Sequence, residues 1–198
     1  MENIKHAVYI NLDRRTDRRA EFESECDRMG IKTDRFSAVE ASPGSVGCAK
    51  SHIAVLKMAK ANNWDNVLIF EDDYQFVVSK EKFHDQIRRF FDLNIKYDIV
   101  MLGYNLIRTS KFNDLLGKVI EAQTTSCYLI HNTFYDKLIN NFETNLPLLE
   151  KTHDDRFYAI DQCWKALQPA ADWYFFRLCL GKQRPGFSDI ENKFVSYH

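Results

Sequence analysis

Glycine and proline are scarce, 7 and 4 among 198 residues, which excludes collagen-like, low-complexity and wholly disordered chains. Charge of one sign is also missing. Lysine and arginine number 27 against 28 aspartates and glutamates, a net charge of −1, so no positive field gathers DNA or RNA and no nucleic-acid partner is expected. Long hydrophobic runs are absent as well. Runs such as 67–70 and 99–102 fall far short of the ~20 residues that cross a bilayer, and residues 1–13 are too polar for a signal peptide. The sequence therefore predicts a cytoplasmic location without a transmembrane segment. The five cysteines, Cys26, Cys48, Cys127, Cys163 and Cys179, are well separated and form no C-x-x-C pair. That argues against a zinc ribbon or redox dithiol and for small hydrophobes in a reducing compartment.

Hydrophobic residues make up 45% and aromatics 14%, chiefly 15 Phe and 9 Tyr, so an aromatic-rich core is expected. At roughly 150 residues per domain the length predicts one domain. A chain of this size buries roughly 70% of its unfolded surface and needs no disulfide or structural metal.

Patterning predicts alternating strands and helices. Residues 6–12 read as a buried strand running into a charged turn, and a helix capped by Thr16 would bury Ala20, Phe22 and Met29 before stopping at Gly30. A short strand over 35–41, a turn over 42–45 and a helix carrying Ile53, Leu56 and Ala59 to Asn62 follow. Residues 66–70 form a continuous apolar run suited to a central strand covered on both faces. Ser79 caps a helix with Phe83, Ile87, Phe90 and Phe91, and strands are expected over 98–102 and 124–130. A helix carrying Tyr135, Leu138, Ile139 and Phe142 should stop before Pro147, with a last helix over 155–167 and a last strand over 173–180. The tail 183–198 shows little periodicity, as in a segment loosely packed or ordered by a ligand. This βα alternation predicts an α/β fold, a mostly parallel sheet with helices on both faces and ligands beyond the carboxyl ends of the strands.

Three features carry chemistry. Glu71-Asp72-Asp73 directly follows the apolar strand, where the mutual repulsion of three carboxylates is best relieved by a divalent cation. Residues 71 and 73 share a face at period 2, and with no His or Cys nearby the cluster suits Mg²⁺ or Mn²⁺ holding substrate phosphate oxygens. An ordinary acidic turn is the simpler alternative. Residues 11–19 hold four arginines at a strand-to-helix turn, suited to an anionic group such as phosphate or to a solvated basic face. Gly47-Cys48-Ala49-Lys50-Ser51-His52 opens a helix without P-loop spacing. Cys48 and His52 stand at i, i+4, but with no third group to orient the histidine a packed cysteine beside a hydrogen-bonded histidine is favoured over a nucleophile pair. Trp173, Tyr174 and Tyr104 are read as core rather than as sugar-stacking aromatics.

Together Val8-Tyr9-Ile10-Asn11-Leu12-Asp13-Arg14-Arg15 with Arg18, Arg35-Phe36-Ser37-Ala38-Val39, Gly47-Cys48 with Ser51-His52, and Leu68-Ile69-Phe70-Glu71-Asp72-Asp73 resemble glycosyltransferase family 25, the lipooligosaccharide and collagen galactosyltransferase family. The match is specific over about residues 6–75. It thins through Ser126-Cys127-Tyr128-Leu129-Ile130, Ala159-Ile160-Asp161, and Gln183 with Ser188-Asp189-Ile190-Glu191.

The resemblance implies a GT-A-like (Rossmann-like) single domain, residues 1–105 serving nucleotide-sugar and metal and 106–198 serving the acceptor. It implies a UDP-galactose or UDP-glucose donor, Mn²⁺ (or Mg²⁺), inversion at the anomeric carbon and a glycan or glycosylated acceptor. By the same resemblance Asp73, Glu71 and Asp189 would hold the metal. Asn11, Leu12, Arg14, Arg18, Gly47, Ser51, His52, Glu71 and Asp72 would bind the donor, and Asp161 would act as general base. Many members carry a further carboxylate two residues beyond that base, where this chain has Cys163, and His153 and His198 compete with Asp189 as late metal ligand. A family member that binds without turnover and a carboxylate-metal phosphoester hydrolase are the alternative readings.

Overall fold

A computed structural model describes residues 3–188 and 193–195. Its centre is a six-stranded sheet built from β1 (Ala7–Asn11), β2 (Asp34–Ser37), β3 (Asn66–Glu71), β5 (Ile99–Lys111), β6 (Leu116–His131) and β7 (Trp173–Phe176), in the order β2-β1-β3-β6-β5-β7. β1 pairs parallel with β2 and β3, and β7 parallel with β5, while β6 runs against its neighbours. Five strands thus point one way, and the expected mostly parallel α/β sheet is present.

Helices cover both faces, as the unbroken burial of β1 and of Asn66 to Phe70 in β3 requires. On one face Phe22, Cys26 and Met29 of α1 (Thr16–Met29) and Phe83, Ile87 and Phe90 of α3 (Lys80–Asp92) pack against Tyr9, Leu68 and Phe70. On the other, α2 (Gly44–Ala61) and α4 (Tyr135–Thr152) bury Val55, Leu56, Leu138 and Phe142 against Val8, Val67 and Ile69. Trp173 and Tyr174 lie in the core as expected.

Local chemistry sets several boundaries. Gly30 ends α1 in the left-handed region, φ 65°, where a glycine costs nothing and its N–H reaches the Asp27 carbonyl. Ser79 caps α3 by accepting from the Lys82 N–H at 3.2 Å. Thr16 is not the cap of α1; Arg15 holds that position without a side-chain capping bond, its guanidinium pairing with Asp17 instead.

Elsewhere tertiary contacts override local signals. α4 continues through Pro147 to Thr152 because the carbonyl left without a helical partner, that of Glu143, lies on the solvent face, while Leu149 beyond it is fully buried. The expected helix over 155–167 is broken. α5 (Asp155–Tyr158) stops at Ala159, which is extended at ψ 148°, α6 (Ile160–Cys163) restarts, and 3₁₀ turns follow. The reason is side-chain bonding to β6: the Trp164 indole N–H donates to the Ala122 carbonyl at 3.1 Å, and Gln168 both accepts from the Ala122 N–H and donates to its carbonyl.

Strands β5 and β6 are far longer than residues 98–102 and 124–130. Register shifts between Met101 and Thr109 bend the hairpin until Leu116, Gly117 and Lys118 pair with the far edge of β7. β7 itself ends at Phe176 rather than at residue 180. The described part of the tail forms strands: β8 (Gly181–Gln183) pairs with β4 (Tyr74–Phe76), and β9 (Gly186–Ser188) with β10 (Lys193–Val195). Asp189 and His198 lie outside the described residues. The cysteines are all free, with Cys26, Cys127 and Cys163 buried, Cys48 half-buried and Cys179 exposed, so the expectation of buried hydrophobes fails at Cys179.

Candidate active site

A cleft of about 510 Å³ opens at the carboxyl ends of β1 and β3, where a parallel sheet presents its ligand site. Its lining includes Leu12, Arg14 and Arg18 from the first strand-to-helix turn, Gly47, Ser51 and His52 from α2, Glu71, Asp72 and Asp73, and Asp161 from α6. The structure thus gathers segments far apart in sequence around the acidic triplet. β3 ends at Glu71, so Asp73 reaches the cleft from the turn into β4 rather than from the pleat of a strand.

The three carboxylates differ in their partners. Asp72 accepts from Asn11 Nδ2 at 2.7 Å through Oδ2 and from Arg18 at 2.9 Å through Oδ1. Glu71 Oε1 accepts from the Thr125 hydroxyl at 2.6 Å and lies 3.5 Å from His52 Nε2. Asp73 accepts from Arg18 at 3.2 Å through Oδ2, while its Oδ1 is buried and has no hydrogen-bond partner among the described residues. Burial, then the charge of Glu71, pushes the Asp73 carboxyl up to about 7, with Arg18 opposing. Burial also raises Asp72, against the pull of Arg18 and Asn11. At Glu71 the burial penalty is outweighed by His52, by the Thr125 hydroxyl and by Arg18, which hold it below the usual carboxylate range.

This donor set fits a hard divalent cation. A buried carboxylate oxygen without a partner, with Glu71 beside it, offers two anionic ligands and leaves room for phosphate oxygens and water. Asp72 is a different case: both its oxygens are taken by Arg18 and Asn11, so it positions that pair rather than offering a ligand.

Asn11 is 1% exposed, lies beneath the cleft, and is spanned by Asp72, the Arg15 carbonyl and Arg35. Gly47 lets α2 approach the preceding loop: a Cβ there would stand 2.5 Å from the Val39 carbonyl oxygen. Ser51 Oγ donates to the Gly47 carbonyl at 2.7 Å and accepts from the Val39 N–H at 2.8 Å, pinning segment 38–41 along the cleft wall. His153 caps the end of α4 with a left-handed backbone and does not line the cleft.

Asp161 lines the same cleft as the triplet and feels the charge of Glu71. Its Oδ2 accepts from the Thr124 N–H and its Oδ1 from Gln162, both at 3.2 Å, and burial raises its carboxyl above the ordinary value. Thr124 is held at φ 79°, the left-handed region that a β-branched residue seldom adopts, and its N–H is thereby bonded to Asp161. Gln123, Gln162 and Asn105 add neutral amides to the cleft lining, which also includes Arg156 from α5.

Sequence reasoning missed Thr125, Tyr128 and Arg184. Antiparallel β6 pairs Cys127 with Phe70 and so carries Thr125 to the Glu71 end of β3; no local signal marks that register. The Arg184 N–H donates to the Asp73 carbonyl at 2.7 Å, so the segment after β8 closes one side of the acidic turn. The acidic cluster also has a histidine and a cysteine beside it: His52 and Cys48 reach Glu71 across the helix-sheet interface, contrary to the sequence reading.

The sequence profile of "Glycosyltransferase family 25 (LPS biosynthesis protein)" matches residues 40–158. The chain belongs to this family. The family 25 match contains Gly47, Ser51, His52, Glu71, Asp72 and Asp73, and leaves Asn11 to Arg18 and Asp161 outside its bounds. A family 25 member from Anopheles gambiae is 28% identical over 102 residues, 37% of this chain and 17% of that protein, so the match spans about a sixth of that relative's length. Among solved structures, a glycosyltransferase involved in glycosylation of the major capsid of PBCV-1 superposes with a TM-score of 0.55 at 11% identity, covering 94% of this chain and 95% of that one. The A197 protein of STIV gives 0.50 at 14% identity, covering 98% and 95%. At these identities the likeness establishes the shared fold. No described helix is long and apolar enough to cross a membrane.

Proposed function

We propose that the cleft is the active site of a metal-dependent, inverting glycosyltransferase that moves a hexose, galactose or glucose, from a UDP-sugar to a hydroxyl of a glycan or glycosylated acceptor. The observation that carries this reading is the buried Asp73 Oδ1, without a hydrogen-bond partner among the described residues, beside Glu71 in a cleft that Arg14, Arg18 and Asp161 also line. Asp73 and Glu71 would hold Mn²⁺ or Mg²⁺, which when bound neutralises the departing nucleoside diphosphate as a Lewis acid. In this assignment Arg14 and Leu12 flank the nucleotide end, and Arg18, fixed by Asp72 and Asp73, keeps positive charge beside the diphosphate.

Inversion by direct displacement needs a base on the face of the sugar opposite the leaving group. Asp161 fills that role: half-buried, with its proton affinity raised by desolvation, it takes the proton of the acceptor hydroxyl as the oxygen attacks the anomeric carbon. The neutral amides around it suit sugar hydroxyls. In this assignment residues 1–105 supply most of the donor side and 106–198 the acceptor side, while Thr125 and Arg184 reach back to Glu71 and Asp73.

Release of UDP from UDP-galactose and UDP-glucose in Mn²⁺, with and without an array of glycan acceptors, tests this. An acceptor that raises the rate and carries the labelled sugar supports transfer. Free sugar at a rate no glycan changes identifies a hydrolase instead.

A further inference from the structure

Beyond that reading, we propose that Cys48, His52 and Glu71 form a second cation site in the same cleft, one that takes a thiophilic divalent ion of the zinc type. α2 presents Cys48 and His52 one turn apart on the face that meets the end of β3, and the ligand atoms of all three residues lie within 4.8 Å of one another.

The histidine supplies the independent observation. His52 is fully buried, and its Nδ1 is hydrogen-bonded to the Tyr128 hydroxyl at 2.9 Å. Its Nε2 has no hydrogen-bond partner among the described residues and faces Glu71 Oε1 at 3.5 Å. One ring nitrogen fixed by a neighbour and the other turned toward a carboxylate without a hydrogen bond is an arrangement that suits a metal-ligating imidazole, the ion standing between Nε2 and Glu71.

Chemistry separates this site from the one at Asp73. Sulfur, nitrogen and one carboxylate suit Zn²⁺ or Co²⁺ in tetrahedral geometry with one position open, whereas two carboxylates suit a hard ion. Binding breaks the Cys48 S–H bond, releases one proton to solvent and forms the S–metal bond. Thiolate and carboxylate then balance the charge of the dication, which a buried site requires. Glu71 belongs to both sets, so an ion held by Cys48 and His52 withdraws it from Asp73, and a filled site opposes the proposed transfer.

Cobalt reports the site directly. Co²⁺ alone is titrated into the full chain carrying Cys179→Ser, which removes the exposed thiol. The expected result is one thiolate-to-cobalt charge-transfer band in the near ultraviolet with tetrahedral visible bands. That signal should be abolished in Cys48→Ser, weakened at least tenfold in His52→Asn and kept in Asp73→Asn. Absence of the thiolate band, or its persistence in Cys48→Ser, overturns the proposal. Cobalt binding without that band and lost in Asp73→Asn also overturns it, while leaving the hard-cation reading intact. Cys48→Ser replaces only sulfur by oxygen at a half-buried position, so the test does not depend on the more buried His52 variant folding.

Discussion

Arg18→Gln removes the cation that Asp72 and Asp73 share at 2.9 and 3.2 Å. The Arg18, Asp72 and Asp73 side chains are 15%, 10% and 14% exposed, so water screens little of the loss. One ion pair at ~4 Å and an effective dielectric of ~20 is worth about 4 kcal/mol. Stripping one partner from a buried pair costs about 3–5 kcal/mol, since the remaining charge stays buried. The cost depends on pH in a known direction. Without the guanidinium, burial and Glu71 raise both aspartates further, and Asp73 already stands at about 7. The folded variant therefore holds protons that the unfolded chain, with carboxylates near 4, has lost. Relative to the parent chain the penalty grows as pH rises through this window. Urea denaturation followed by tryptophan fluorescence should show a loss of about 3–5 kcal/mol at pH 8, roughly a 10 °C fall in Tm, and at most about half that at pH 5. Equal losses at the two pH values, or a loss under ~1 kcal/mol at pH 8, would refute the neutralising role of Arg18.

Asp161→Asn should lower the transfer rate by about 10²–10⁴-fold while donor affinity stays within about twofold, because the base touches the acceptor and not the nucleotide; a matching fall in donor affinity would remove it from that role. In the parent chain the rate should fall with decreasing pH at a point above the ordinary carboxylate range, since burial raises Asp161 and only its ionised form accepts a proton; a pH–rate profile locates that limb. Gly47→Ala should cost about 1–3 kcal/mol in denaturant unfolding, because its Cβ would press on the Val39 carbonyl oxygen and push α2 from segment 38–41. Stability within a few tenths of the parent would mean that the contact relaxes freely.

The strands and helices legible in the sequence are those with a strong apolar period: β1, α1, β3, α3 and the first three turns of α4. The acidic triplet was legible for the same reason, since it interrupts the most apolar strand at its carboxyl end. What could not be read was non-local. The bonds of Trp164 and Gln168 to Ala122 broke an otherwise helical stretch, and the bends of β5 and β6 came from cross-strand register that no local window contains. Distances within the site follow the same division. Asn11, Arg18 and the triplet were named, but not that Asn11 and Arg18 saturate Asp72 and leave Asp73 the open ligand. Gly47 and Ser51 stood out as a motif whose first duty here is to hold a loop against a helix. His52 and Cys48 meet Glu71 only because α2 packs across the end of β3.

Calorimetric titration of a panel of nucleotide-sugars into the parent chain and Asp73→Asn, each with and without Mn²⁺, tests the central claim most directly. The account predicts that one UDP-sugar binds in Mn²⁺, and that omitting the ion or replacing Asp73 weakens binding at least tenfold, ~1.4 kcal/mol. Binding that is indifferent to Mn²⁺ and unchanged in Asp73→Asn, or no binding to any member of the panel, would contradict it.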